Sequence, residues 1–174
     1  MMIPFIEQAQ GYTTVHQNLV TRYTHWAGVP LILLSLMVLL GFVHITILHV
    51  ADINVAHIAL LGLLIYYFRL NGWLALAITP LLIVLIWIAH FFNTDGPTAF
   101  ALWSFLVLFV FGWALLFIGH VIDGKRSDFI KNLRHIWIAP LLMVAEIFFM
   151  LGRMSKLKEA LYGKEPLSTP ETRG

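Results

Sequence analysis

The sequence contains no cysteine and few charged residues. Of its 174 residues, 60% are hydrophobic and 11% are charged, whereas about a quarter are charged in a typical soluble domain. Without cysteine, the chain cannot form disulfides, thiolate metal sites, iron–sulfur clusters or a cysteine nucleophile. With so few charges it cannot cover the surface of a soluble globule, so the composition predicts an integral membrane protein. The formal charge of +2 gives no reason to expect nucleic-acid binding.

Several catalytic motifs are also missing from the sequence. It has no G-x-S-x-G elbow, no phosphate-binding G-x-x-x-x-G-K-[ST] loop, no dinucleotide glycine motif and no H-E-x-x-H. These absences leave serine hydrolase and nucleotide-driven functions without support. The H-x-x-x-H and H-x-x-H-H clusters of membrane desaturases are absent too, which disfavours a conventional desaturase.

Long apolar runs predict an all-α membrane bundle. The runs are Val29–Val50, Ala56–Phe68, Trp73–Phe92, Ala99–Ile122 and Ile136–Leu151. The second run is short for a span of about 20 residues, the third has a kink predicted at Pro80, and the fifth is interrupted at Pro140. We therefore expect four hydrophobic helices, with five left open, and an N-terminal histidine-bearing helix. All belong to one domain, residues 1–174, in which residues 28–151 form the bundle and residues 152–174 a cytosolic tail.

The positive charges favour four spans over five. With four spans, Arg22, Arg69 and the basic loop after the fourth run all fall on one side, which should be cytosolic. A fifth complete span would place Arg153 and Lys156 on the other side. We expect the fifth segment to dip into the membrane or to lie along its interface.

Eight histidines are the main chemical feature of the chain. Four of them suit a membrane interface, where an apolar ring with a polar edge is stable: His44, His49, His57 and His135. His120 differs, because it ends a long apolar run, where an ionisable side chain tends to have a functional partner. His16 and His25 are nine residues apart, which would put them on opposite faces of a straight helix. Either the chain bends between them, or one lies on a separate helix, or each has a different partner.

The predicted cytosolic face gathers a set of candidate metal ligands and neighbouring polar residues. This set is His16, Asn18, His25, His120 and Asp123. Neutral imidazoles and a carboxylate suit Fe(II) or another divalent transition metal. Glu146 lies in the fifth apolar run, and its carboxyl group either orients a metal-binding histidine or is neutral and hydrogen-bonded.

Four short motifs, in this order and spacing, resemble the membrane 2-hydroxy fatty acid dioxygenase family. They are H-Q-N-x-x-x-R-x-x-H-x-x-G-V-P from His16 to Pro30, F-I-G-H from Phe117 to His120, D-G-K-R from Asp123 to Arg126, and N-L-x-x-x-x-I-A-P-L-x-x-x-A-E from Asn132 to Glu146. The eukaryotic members act at the endoplasmic reticulum in phytosphingosine breakdown, and bacteria carry similar proteins. The chain differs from the usual pattern at Thr21, where the family often has Asn, and at Asp123, where it often has Glu.

The resemblance implies Fe(II)-dependent α-oxidation, in which a 2-hydroxy fatty acid and dioxygen yield an acid one carbon shorter. It implies catalytic roles for His16, His25 and His120, which with the weaker match His90 form the predicted metal ligands. Asn18, Arg22, Asp123, Arg126 and Glu146 are expected to support the metal or to bind substrate. The protein should lie in the inner membrane of a bacterium or the endoplasmic reticulum of a eukaryote, with a cytosolic site.

Two other functions stay open from the sequence. One is a non-catalytic membrane protein that binds lipid or acts as an assembly subunit. The other is a divalent-metal transporter or sensor, although polar residues within the spans are scarce. Homo-oligomerisation is also left open.

Overall fold

A computed structural model describes residues 6, 19–47, 51–93, 96–122 and 137–162. Within these residues, six helices follow one another along the chain, with one β-hairpin after the first. In order, the elements are α1 (Leu19–Leu40), β1 (His44–Ile47), β2 (Ala51–Asn54), α2 (Val55–Leu70), α3 (Gly72–Asn93), α4 (Ala99–Ile122), α5 (Ala139–Met150) and α6 (Ser155–Tyr162). The predicted helical membrane bundle is confirmed, while the hairpin was not predicted.

Three helices are long and apolar enough to cross a membrane. They cover Val20–Leu40, Gly72–Asn93 and Ala99–Ile122, and large apolar side chains such as Trp73, Trp87 and Trp103 point outward from them. At 1.5 Å per residue each is at least about 30 Å long, the thickness of the hydrocarbon core. The apolar helices α2 and α5 have 16 and 12 residues and are shorter than that. These lengths agree with the predicted marginal second span and short fifth segment.

The predicted bounds of the first span were wrong. The apolar run from Val29 to Val50 predicts one span, but α1 begins at Leu19 and ends at Leu40, with Pro30 in its interior. Within the second half of the run, His44–Ile47 form β1, which pairs antiparallel with β2, with His44 opposite Asn54. This half is rich in β-branched residues, which favour strands, and a short apolar run does not by itself distinguish strand from helix.

Helices α1 and α4 pack closely and run in opposite directions. The Thr21 hydroxyl donates to the Gly119 carbonyl over 3.0 Å, and further along the pair Gly28 faces Gly112. A Cβ atom added at Gly28 would lie 2.9 Å from the Gly112 carbonyl oxygen, so a larger residue does not fit without movement. Small residues allow membrane helices to approach in this way.

The other helices fix which end of the bundle each segment occupies. The Asn93 amide at the end of α3 donates to the Val38 carbonyl near the end of α1. The last turns of α1 and α3 are therefore neighbours, and the first turns of both helices lie toward the opposite end of the bundle. Arg69, just before α3, lies at that opposite end. After α5, helix α6 buries Leu157 and Leu161 against the core.

Candidate functional site

Two histidines that are far apart in sequence meet where α1 begins and α4 ends. His25 lies in the second turn of α1 and His120 in the last turn of α4, and their ring centroids are 5.1 Å apart. Both side chains are buried, with 7% and 3% of their surface exposed. The antiparallel packing of the two helices, with Gly119 against Thr21, brings the rings together.

Hydrogen bonds to main-chain carbonyls select the tautomer of each neutral imidazole ring. His25 Nδ1 lies 2.8 Å from the Thr21 carbonyl oxygen, and His120 Nδ1 lies 2.9 Å from the Leu116 carbonyl oxygen. Because a carbonyl oxygen only accepts, each Nδ1 carries a proton and donates it. In the neutral ring the lone pair is then on Nε2, and a histidine held in this way is a common ligand of transition metals.

The spacing of the two rings fits a shared metal ion. Two imidazoles that bind one ion at about 2.1 Å have ring centres roughly 5 Å apart. Among the residues that the structure describes, no group of three or more His, Asp or Glu side chains forms a metal site. Within this part of the chain, His25 and His120 could offer two ligands to a metal ion, which is fewer than a complete set.

Next to the histidine pair, an ion pair connects α1 to α5. Arg22 Nε donates to Glu146 Oε2 over 3.4 Å, and Trp26 Nε1 donates to the same oxygen over 3.1 Å. The Glu146 side chain is 11% exposed and that of Arg22 is 25% exposed. Glu146 is thus hydrogen-bonded, and its partners are the Arg22 cation and the Trp26 indole.

A small open cleft lies between α1 and α5 at this position. It is lined on the α1 side by Arg22, His25, Trp26 and Val29, and on the α5 side by Ala139, Leu142, Met143 and Glu146. Since Arg22 pairs with Glu146 and the cleft extends to Val29 and Ala139, the two helices run in opposite directions here. One end of the cleft is charged and the other is apolar, and His25 lies between these ends.

The structure does not bring every predicted site residue to this place. His90 is exposed in the last turn of α3, one turn before Asn93, which contacts Val38. Val38 is 13 residues beyond His25, about 20 Å along α1. His90 is thus far from the His25–His120 pair. His16, Asn18, Asp123 and Arg126 lie outside the described residues, as do His49 and His135.

Two residues near the pair were not predicted as site residues. Thr21 is fully buried, its carbonyl accepts from His25, and its hydroxyl holds the chain next to His120. Trp26 binds the same Glu146 oxygen as Arg22. The spacing of Arg22 and Trp26, four residues apart, was a signal that both lie on one helix face.

A buried pair of histidines at one end of an apolar helical bundle defines a membrane protein with a candidate metal site. The chain matches the family model described as 2-hydroxy-palmitic acid dioxygenase Mpo1-like over residues 2–151, and it belongs to that family. A comparison with curated proteins gives no match, and a comparison with solved structures gives none either. The family description names a dioxygenase and a 2-hydroxy fatty acid, as the sequence motifs implied.

Proposed function

We propose that this protein is an Fe(II)-dependent dioxygenase that shortens 2-hydroxy fatty acids by one carbon within the membrane. The observation that carries the proposal is the buried His25–His120 pair, whose Nδ1 atoms both donate to carbonyls and whose spacing suits one ion. The family description supports the reaction class and the substrate. His16 is the proposed third ligand. His90 stays the weakest candidate ligand because of its position.

The reaction balances without an external electron donor. A 2-hydroxy fatty acid and one dioxygen molecule contain the atoms of the acid one carbon shorter, one carbon dioxide and one water. The C1–C2 bond breaks, C2 is oxidised to the new carboxyl carbon, and dioxygen is reduced. Fe(II), when bound, supplies the activation of dioxygen that this oxidation requires.

The residues of this chain have defined tasks in the proposed reaction. The carbonyl groups of Thr21 and Leu116 fix the orientation of the two imidazole rings. Burial of His25 and His120 keeps bulk water from the site. The apolar surfaces of the helices accept the acyl chain, which therefore need not leave the membrane.

The placement of the charges supports a cytosolic site. Arg22 lies beside the histidine pair, and Arg69 lies toward the same end of the bundle. Positively charged residues accumulate on the cytosolic side of membrane proteins. We propose the bacterial inner membrane or the endoplasmic reticulum as the membrane concerned.

The test is incubation of the purified protein with iron, oxygen and 2-hydroxypalmitic acid, followed by mass spectrometry of the products. The expected product is the fatty acid one carbon shorter. His25→Ala and His120→Ala should abolish the product and lower the iron content, while His44→Ala, an exposed histidine of β1, should change neither. Iron bound without oxygen consumption would indicate a transporter or sensor instead. Neither iron nor product would indicate a lipid-binding or assembly protein.

A further inference from the structure

We infer that the cleft between α1 and α5 binds the substrate acid and that Arg22 holds its carboxylate. The inference rests on the proposed function, which supplies the class of substrate. It adds the residue that recognises the acid group and the direction in which the acyl chain lies.

The contacts of Arg22 suit it to bind a second carboxylate. Its bond to Glu146 uses the Nε–H, so the four Nη–H groups of the guanidinium are outside that bond. The side chain lines the open cleft and remains 25% exposed. Two parallel N–H groups of a guanidinium match the two oxygens of a carboxylate.

Glu146 holds the arginine in place for this task. Its Oε2 atom accepts from Arg22 and from Trp26, which restricts the arginine side chain to the cleft wall. The indole N–H also shares part of the negative charge of Glu146, which lessens repulsion of an incoming carboxylate. Glu146 and Trp26 are thus positioning residues, and Arg22 is the one that contacts the substrate.

Along the α1 wall of the cleft, the lining residues follow the order of the groups in a 2-hydroxy fatty acid, from charged to apolar. From Arg22 the α1 wall continues through His25 to Val29, a distance of about 10 Å along the helix. In the inferred pose the carboxylate lies at Arg22 and the 2-hydroxyl group points toward His25, which lines the same wall about one turn further along α1. The acyl chain then meets Val29, Leu142 and Met143, which are apolar.

The same orientation is the one that a fatty acid has in a bilayer. Its carboxylate lies at the polar interface and its chain points toward the hydrocarbon. Arg22 is near the beginning of the membrane-spanning helix α1, and Val29 lies two turns deeper. An acid can therefore move from the lipid into the cleft without turning over.

Equilibrium binding tests this inference separately from catalysis. The protein is reconstituted without iron and without oxygen, and the affinities for radiolabelled 2-hydroxypalmitic acid and its methyl ester are compared. The natural protein should prefer the acid, because the ester has no charge for Arg22 to bind. Arg22→Gln should lower the ratio of acid affinity to ester affinity by about 10-fold or more, the size expected for a pair of charge-assisted hydrogen bonds.

Two further variants keep the test decisive. Arg153→Gln removes an exposed positive charge just after α5 and should leave the preference unchanged. Arg22→Gln alone leaves the Glu146 carboxylate without its cation. The double variant, Arg22→Gln with Glu146→Gln, removes that carboxylate as well, so we expect it to fold and to bind acid and ester equally well.

The outcomes distinguish the inference from the proposed function. A preference for the acid that persists in both Arg22 variants, or affinities for acid and ester that fall equally, would overturn the inference. The proposed function fails on different evidence, namely iron-loaded natural protein that binds the acid but forms no shortened product.

Discussion

The close crossing of α1 and α4 predicts that Gly28→Ala destabilises the protein. An added Cβ would lie 2.9 Å from the Gly112 carbonyl oxygen and 3.2 Å from Leu116 Cγ. A carbon usually lies about 3.3–3.6 Å from a carbonyl oxygen, so the helices would have to separate by about half an ångström. The obstacle is main chain, which cannot change rotamer, and overpacking of this kind costs about 1–3 kcal/mol.

Gly62→Ala is the matched control for this prediction. Gly62 lies inside α2 with no atom within 4 Å of an added Cβ. Both changes gain the same helix propensity, about 0.5–1 kcal/mol, so the difference between the variants isolates the packing cost. We expect Gly28→Ala to unfold more easily than Gly62→Ala by about 1–3 kcal/mol in a titration with a denaturing detergent. Equal stability of the two variants would refute the tight packing of α1 against α4.

Two further predictions concern single side chains near and far from the site. His90→Ala should retain iron content and product formation, since His90 is exposed near the end of α3, at the other end of the bundle from the histidine pair. Loss of both in a folded variant would place it among the ligands. Thr21→Val removes the donor to the buried Gly119 carbonyl and should lower the free energy of unfolding by about 1–3 kcal/mol. Thr21→Ser restores a hydroxyl donor and should recover most of that loss, whereas equal instability of Val and Ser variants would contradict a role for the bond.

The sequence predicted the helices best where apolar runs were long and clearly ended. The fourth run, Ala99–Ile122, has the observed bounds of α4, and the third differs from α3 by one residue at each end. The prediction for the first run was wrong because hydropathy alone does not determine backbone conformation. Residues His44–Ile47, in its β-branched second half, form β1 and pair with β2, while Pro30 lies within α1.

The sequence identified the candidate residues but not their contacts. His25, His120, Arg22 and Glu146 were each selected from local features, such as position at the end of a span or a carboxylate in an apolar run. Their neighbours depend on the relative shift of helices that are distant in sequence. Thr21 and Gly119 are 98 residues apart, and Arg22 and Glu146 are 124 apart. Periodicity indicates which face of a helix is buried, but it does not indicate which residue of another helix lies opposite.

For the Arg22–Glu146 ion pair, we expect that replacing both residues changes substrate binding but has little effect on the free energy of unfolding. Replacing one member of a partly buried pair leaves the other without its partner, so Glu146→Leu alone should destabilise the protein. Replacing both with Leu removes the unpaired charge, and exchange of such pairs for apolar residues is often neutral or stabilising. The part-buried Trp26 indole loses its acceptor in the single and the double variant alike. We therefore expect the double variant to unfold within about 1 kcal/mol of the natural protein, since the pair is partly solvated. It should nevertheless bind the substrate acid no better than the methyl ester. If its loss of stability instead equals the sum of the two single changes, the pair is not the source of the penalty. Each side chain would then contribute through its own packing between α1 and α5.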